Sequence, residues 1–224
     1  MMRGWRALAM VPVAAMLMAG TALSALAQDA TPSPEQSENP RLVDPSECKS
    51  DPMPVDRLTT VLGLDAQGVP QPKYTTITPP LGTVFDNATA ISIKDAAREV
   101  LACFNAGDIP RAAALMTDNG IKRSYWGLTI NDQSRQNAKE LLAKAATPRG
   151  EDQAIRLIAV TDASMLPDGR VAAFLVINEP LLPPPGPETL LFIFANQDGT
   201  WKVDDFVDFS IVRPEGTPEA TPAS

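Results

Sequence analysis

A carboxylate inside an apolar stretch is the feature of this sequence that could most directly do chemistry. In TWKVDDFVDFSIV (residues 200–212), strand alternation places Asp205 on one face with four apolar residues, Trp201, Val203, Val207 and Phe209. An aspartate among apolar groups has a raised pKa and can act as a general base. The alternative is a bulge or a strand edge that lets Asp205 reach water, with Asp204 and Asp208 solvated on the opposite face.

The N-terminal residues predict export. Arg3 and Arg6 precede a short apolar run, and the small residues at Ala25–Ala27 fit signal-peptidase cleavage after Ala27. We therefore interpret residues 1–27 as a signal peptide; the alternative is an uncleaved N-terminal anchor. The expected location is extracytoplasmic, either secreted, periplasmic or at the cell surface, and no membrane span is expected after cleavage.

Cys48 and Cys103 are the two cysteines of the chain, and they predict a disulfide. In an exported chain, two cysteines favour one bridge over two free thiols. Cys103 is then a structural residue rather than a nucleophile, because a catalytic thiol needs a partner base and the chain contains no histidine. With neither histidine nor a spare thiolate, we expect no metal site and no cofactor.

The charge of the chain argues against two classes of partner. The formal net charge is −8. Nucleic-acid binding requires clustered lysine and arginine to displace counterions, so we expect no nucleic acid partner. An anionic membrane surface is disfavoured for the same electrostatic reason.

Composition divides the remaining chain into flanks, an arm and one domain. Residues 28–40 and 213–224 are polar and rich in proline, serine and threonine, which predicts a disordered linker and a disordered tail. Residues 41–86 are rich in proline and threonine and predict an extended arm, joined to the domain through Cys48. Residues 87–212 carry the apolar periodicity of a globular domain.

Three helices open this domain. The first begins at Ser92 or as early as Asp86 and ends at Gly107, with an apolar stripe of Ile93, Ala97, Val100 and Phe104. Asp108 is expected to cap a second helix, which ends at residues 117–120 and buries Ala112, Leu115 and Met116. The third helix is predicted over residues 132–146, with a stripe of Ala138, Leu141, Leu142 and Ala145.

Four strands follow the helices, so the pattern is that of an α+β fold. The runs rich in β-branched and aromatic residues are 154–164, 170–178, 189–196 and 200–212. Residues 166–169 and 196–199 predict hairpin turns, and the proline-rich loop Glu179–Glu188, a lid or a stiff connector, joins the middle strands. The two central strands are apolar on both faces, so each face needs a cover. We expect the helices on one face and the arm or a second copy on the other, and we favour a homodimer through this outer face.

Three motifs in this order resemble the NTF2-like superfamily, which includes the SnoaL-like and ketosteroid isomerase-like groups. They are CFNAGD (residues 103–108), AALMTDNG (residues 113–120) and DGTWKVDDF (residues 198–206). The resemblance covers residues 87–212, and PSECKSDPMPVDRL (residues 45–58) is similar to the segment preceding this domain in uncharacterised exported members. It implies a cone in which the three helices pack on the concave face of a curved, mainly antiparallel sheet of four to six strands, leaving a pocket at the wide end.

The same resemblance implies a place for the candidate site residues. Tyr125 and Trp126 lie between the second and third helices, where the pocket mouth of the family would be. A tyrosine hydroxyl there can donate to an oxyanion; the alternative is two amphipathic aromatic residues that anchor a loop. The predicted ligand-binding residues are Tyr125, Trp126, Phe104 and Asp205, and the candidates for catalysis are Asp205 and Tyr125.

The expected function is therefore a non-catalytic exported module that binds a small apolar or amphipathic ligand or a protein partner. One alternative is an isomerase, cyclase or hydrolase of a small organic substrate, with Asp205 as the base and Tyr125 as a hydrogen-bond donor. Another is a structural dimerisation domain.

Overall fold

A five-stranded antiparallel sheet and five α-helices account for the regular structure of the residues described here. The computed structural model describes residues 41–72, 82–83, 86–181 and 186–208, all in one compact unit. The strands are β1 (Arg41–Leu42), β2 (Arg156–Met165), β3 (Val171–Asn178), β4 (Pro187–Gln197) and β5 (Thr200–Asp208). The helices are α1 (Val55–Val61), α2 (Asn87–Asn105), α3 (Ile109–Ala114), α4 (Asp118–Tyr125) and α5 (Asp132–Leu142). The predicted α+β class is confirmed at this level.

The sheet is an open meander in the order β1-β2-β3-β4-β5, with every neighbouring pair antiparallel. Both predicted turns are present. Asp198 and Gly199 have positive φ angles of 54° and 83°, as a two-residue type I′ turn between β4 and β5 requires. The turn between β2 and β3 is closed by the Gly169 amide, which donates to the Leu166 carbonyl at 3.0 Å.

The first two domain helices begin and join as their capping residues predict. The Asp86 side chain accepts a hydrogen bond from the Thr89 amide, so α2 starts at the earlier of the two predicted positions. Gly107 has a φ of 65° and ends the helical path. The Asp108 carboxylate accepts from the Arg111 amide and caps α3.

The second predicted helix is wrong at its end, because residues 117–120 start a helix rather than stop one. Thr117 Oγ1 accepts from the Gly120 amide at 3.1 Å and caps α4. The chain before this cap pairs with β5: the Val203 amide donates to Leu115 O and the Thr117 amide donates to Val203 O, each at 2.9 Å. The outer edge of β5 is therefore paired at Val203. The third helix, α5, also ends four residues earlier than expected, at Leu142.

The segment before the domain has more regular structure than an extended arm. It contains β1, a 3₁₀ turn at Pro45–Glu47 and helix α1, whose Leu58 and Val61 are buried. The predicted disulfide between Cys48 and Cys103 is confirmed, with Cα atoms 4.7 Å apart. The signal peptide, the linker, the tail, residues 73–81 and residues 182–185 of the proline-rich loop lie outside the described residues.

Both faces of the sheet are apolar, as predicted, and they form separate clusters. The inner cluster, against α2 and the other helices, includes Val171, Ala173, Leu175, Phe192 and Phe194. The outer cluster is formed by Leu166, Ala172, Leu191, Ile193 and Val207. The outer side chains are already buried within one chain, at 1–8% exposure, so this face supplies no argument for a second copy.

None of the helices within the described residues is long and apolar enough to span a membrane.

Candidate functional site

A cleft of about 630 Å³ opens where α2 meets α3. The C-terminal end of α5 and the chain that follows it form the second side of the cleft. Tyr125, at the end of α4, also lines it. The walls are mainly apolar, formed by Pro52, Phe104, Ile109, Pro110, Leu128, Leu141, Ala145 and Ala146. We call this space the cleft. Phe104 and Tyr125 are the predicted ligand-binding residues that line it.

Gly107 lets the two sides of the cleft approach each other. Its φ of 65° lies in the left-handed region, and a Cβ atom at this position would lie 2.2 Å from the Thr147 carbonyl oxygen. No side chain fits at that distance, so the junction and the chain after α5 touch only because the residue is glycine. The glycine that ends α2 therefore also sets the width of the cleft.

Asn105 holds the same region from the inside. Its fully buried side chain donates to Val43 O at 2.8 Å and to Ile155 O at 2.9 Å, and it accepts from the Ile155 amide at 2.8 Å. Its carbonyl oxygen accepts from the Arg149 amide at 2.8 Å. A buried amide whose groups are all paired is a rigid structural element. Asn105 supports the cleft without facing a ligand.

A strap of residues 48–53 lies beside the cleft and contributes Pro52 to its wall. The disulfide attaches it to Cys103, which itself lines the cleft. Further along the strap, Ser50 Oγ donates to Arg111 O at 3.1 Å, and the Met53 amide donates to Pro110 O at 3.0 Å. The disulfide therefore acts as a structural link next to the cleft.

Tyr125 lines the cleft at the end of α4, and its hydroxyl is a buried, unsatisfied polar group. The residue is 9% exposed, and no described group lies within hydrogen-bonding distance of its buried hydroxyl oxygen. Burial, and to a lesser degree the negative charge of Asp108, raises the pKa of Tyr125 well above its ordinary value. The phenol is therefore a neutral hydrogen-bond donor and acceptor across the physiological pH range.

Three charged residues line the cleft, and the sequence did not identify them as site residues. Asp108 forms an ion pair with Arg111 at 3.5 Å, and Arg149 Nη1 donates to Glu179 Oε1 at 2.7 Å. Lys144 is exposed and has no ion-pair partner among residues 41–72, 82–83, 86–181 and 186–208. Its position in the predicted third helix carried no signal, since a lysine near a helix C-terminus is common.

Asp205 lies away from the cleft, and its predicted face is right for Val207 but wrong for Val203. Ile193 is paired with Asp205 but Phe194 with Val203, so Asp204 is an extra residue that forms a β-bulge. Asp205 therefore shares the outer face with Ile193, while Val203 belongs to the inner cluster. The bulge that the sequence left open as an alternative is present. Phe209, the last residue of the predicted face, lies outside the described residues.

A network of ion pairs and hydrogen bonds occupies this part of β5. Arg123 Nε donates to Asp205 Oδ1 at 2.6 Å and Arg123 Nη2 to Asp205 Oδ2 at 3.1 Å, and both side chains are less than one-fifth exposed. The Asp204 carboxylate accepts from Thr117 Oγ1 at 2.6 Å and from Arg170 Nη1 at 2.9 Å. We call these five residues the β5-edge network. Asp204 is half-buried in this network, whereas the alternative drawn from the sequence placed it in water.

Trp126 is close to Tyr125 in sequence but does not line the cleft. It starts the 3₁₀ turn Trp126–Thr129 after α4 and is half-buried. Of the four predicted ligand-binding residues, the structure thus brings together Tyr125 and Phe104 and leaves Trp126 and Asp205 outside. Within the described residues, no group of three or more histidine, cysteine or acidic side chains is arranged to hold a metal ion.

Comparisons with known proteins add no name to this geometry. No protein-family model matches the chain, and no curated protein matches it.

Proposed function

We propose that this chain is an exported, non-catalytic NTF2-like module that binds a small amphipathic molecule in the cleft. A volume of about 630 Å³ is within the range of small-molecule sites, which are typically apolar with a few polar groups. The cleft has this composition: apolar side chains form most of its walls, and five lining residues have polar side chains, Asp108, Tyr125, Lys144, Thr147 and Arg149.

The unpartnered Tyr125 hydroxyl carries the proposal. Leaving a buried hydroxyl without a hydrogen bond costs about 1–3 kcal/mol, and buried polar groups in folded proteins are nearly always paired. A ligand oxygen or nitrogen in the cleft would supply the missing partner after a small side-chain shift that uncovers the hydroxyl, which is sealed from water in the free chain. A purely structural role for Tyr125 would instead favour a hydroxyl bonded within the chain, as Thr117 is.

Two further observations support the exported NTF2-like character. The disulfide fits an oxidising compartment, where such bridges persist. The antiparallel meander with helices against its inner face is compatible with the cone of that superfamily, in which the ligand would enter beside the helices.

The enzyme hypothesis has less support. It requires Asp205 as a base next to Tyr125, yet the Asp205 carboxylate is bound by both nitrogens of the Arg123 fork and lies outside the cleft. A carboxylate held this way is not available to take a proton from a substrate next to Tyr125. The dimerisation hypothesis loses its main argument because the outer cluster is buried within one chain.

Blocking the cleft tests the proposal. Ala143 and Ala146 are both exposed and follow α5, but only Ala146 lines the cleft. We expect Ala146→Trp to abolish binding of the neutral dye Nile red, measured by fluorescence titration, and Ala143→Trp to leave it unchanged. Equal binding by both variants, with unfolding curves that match the wild type, would refute a ligand site in the cleft.

A further inference from the structure

The polar groups of the cleft differ in depth. Tyr125 and Cys103 lie at the closed end, 9% and 0% exposed. At the open end, Leu141 is 44% exposed, and Lys144 and Ala145 are also exposed. A ligand that fills the cleft would therefore have one end removed from water and the other end next to solvent.

The closed end is unsuitable for a negatively charged group. Its polar group is the neutral Tyr125 phenol. The charge that acts on this phenol is the negative charge of Asp108. A carboxylate brought here would lose its hydration without gaining a cation, and it would be repelled by Asp108. A neutral hydroxyl or carbonyl can accept from the Tyr125 hydroxyl at much lower cost.

The open end has the opposite character. Asp108 and Arg149, the other charged residues of the cleft, have the partners Arg111 and Glu179. Lys144 alone of the three lacks an ion-pair partner within the described part of the chain, and its exposed ammonium group stands at the mouth. In a chain with a net charge of −8, the mouth of the cleft is thus locally cationic.

We infer that the ligand is an amphipathic monoanion with a charged group beside Lys144, an apolar body, and a neutral hydrogen-bonding oxygen at Tyr125. This inference rests on the proposed function and adds the chemistry and direction of the ligand. The ligand binds as a free molecule rather than as a lipid within a membrane, because the net charge of the chain would repel an anionic bilayer. Long-chain hydroxy acids and oxo acids have this chemistry.

Three probes of equal length separate the two ends: ω-hydroxydecanoate, decanoate and decanediol. We expect isothermal titration calorimetry to find the tightest binding for ω-hydroxydecanoate. Loss of one hydrogen bond should weaken decanoate about two- to tenfold, and Tyr125→Phe should remove this difference. Loss of the charge should weaken decanediol by up to about fivefold, as for an exposed ion pair.

Lys144→Gln tests the charged end, and Lys122→Gln is its matched control. Lys122 is also exposed and lies on α4, but it does not line the cleft. We expect Lys144→Gln to weaken ω-hydroxydecanoate by up to about fivefold and to leave decanediol unchanged, whereas Lys122→Gln changes neither. Added salt should reduce the effect of the Lys144 charge.

Four results would overturn the inference. Equal binding of decanediol and ω-hydroxydecanoate, or equal effects of Lys144→Gln and Lys122→Gln, would exclude a charged end at the mouth. Binding of none of the probes, while Nile red binding remains sensitive to Ala146→Trp, would exclude this ligand class and leave the proposed function intact. Lys144-dependent sedimentation with phosphatidylglycerol vesicles would show that the anion belongs to a membrane lipid.

Discussion

The cleft and the β5-edge network both place polar side chains beside the core, yet they differ in how those side chains are satisfied. In the network, Arg123 bonds to Asp205, and Thr117 and Arg170 both bond to Asp204. In the cleft, the Tyr125 hydroxyl is also buried, but it has no partner among the described residues. A fully bonded cluster needs nothing further and stabilises the fold, whereas an unbonded buried group indicates a place for a ligand.

Removing the disulfide should give the largest loss of stability. Because the bridge lies next to the cleft and not in the β5-edge network, it should also weaken ligand binding. Cys48 and Cys103 are 55 residues apart, and the chain-entropy model assigns about 4 kcal/mol to such a bridge. We expect the double substitution Cys48→Ala, Cys103→Ala to lower the free energy of urea unfolding by this amount and to weaken Nile red binding. A loss below about 1 kcal/mol would mean that the strap is held by its other contacts.

Gly107→Ala should have the next largest effect. Alanine at this position must adopt a positive φ, and its Cβ atom must push the Thr147 carbonyl away. Together these two changes cost about 3 kcal/mol of stability. Gly199→Ala is the matched control, since its φ is also positive but its surroundings are open, so we expect a loss of about 1 kcal/mol. Equal losses in thermal or urea unfolding would contradict the close approach.

Asp205→Ala tests whether the β5-edge network is structural. Its removal leaves the half-buried Arg123 guanidinium without this carboxylate, so we expect about 2 kcal/mol less stability and unchanged Nile red affinity. The control is Asp65→Ala, which breaks an exposed ion pair with Lys139 and should cost less than about 1 kcal/mol. A fall in Nile red affinity with Asp205→Ala would revive a role for Asp205 at the site.

Alkaline pH should reveal the burial of the Tyr125 phenol, a feature of the cleft that the β5-edge network does not share. Its pKa in the folded chain lies above the ordinary value of 10.0, so the folded state disfavours the charged phenolate. The contribution to stability is complete below about pH 10 and is lost as the pH rises further. Wild type should therefore lose more stability than Tyr125→Phe between about pH 9 and pH 11, as measured by urea unfolding. Parallel curves would show that the phenol is solvated.

The smallest effects should come from two hydroxyl deletions, and they should differ in sign or size. Tyr125→Phe removes an unpaired group, so we expect stability at neutral pH to stay within about 1 kcal/mol or to rise. Thr117→Val removes a helix cap and a bond to Asp204, so it should destabilise by about 1–2 kcal/mol. If Tyr125→Phe destabilised the free protein as much as Thr117→Val, the phenol would already have a partner.

Local backbone chemistry explains the parts of the fold that the sequence predicts well. Asp86, Gly107 and Asp108 act within a few residues of their own position, as a cap, a left-handed stop and a second cap. The hairpin at Asp198 and Gly199 is equally local. The α+β class and the disulfide follow from periodicity and from the cysteine count.

The errors have a different origin, because they depend on contacts between distant segments. Thr117 was expected to lie at a helix end, but pairing of the preceding residues with Val203 makes it the start of α4. The bulge at Asp204 puts Asp205 on the face opposite Val203, and no residue type around it indicates an extra residue. Lys144 reaches the cleft mouth only because Gly107 allows the chain after α5 to approach.

Two of the four predicted ligand-binding residues line the cleft, and there is a physical reason for this outcome. Tyr125 and Phe104 are large residues next to helix ends, where the fold leaves space. Trp126 and Asp205 were placed by proximity in sequence and by ideal alternation, and neither rule holds across a 3₁₀ turn or a bulge. The cationic mouth required tertiary structure.

The Asn105 amide has a consequence for how the chain acquires its shape. Its side-chain bonds reach residues 62 positions earlier and 50 positions later, so three remote segments meet at a single group. During synthesis, the helices can form before residue 155 has emerged, but the Asn105 side chain then lacks two of its three bonds. The region around Asn105 should thus reach its final packing only when β2 has docked.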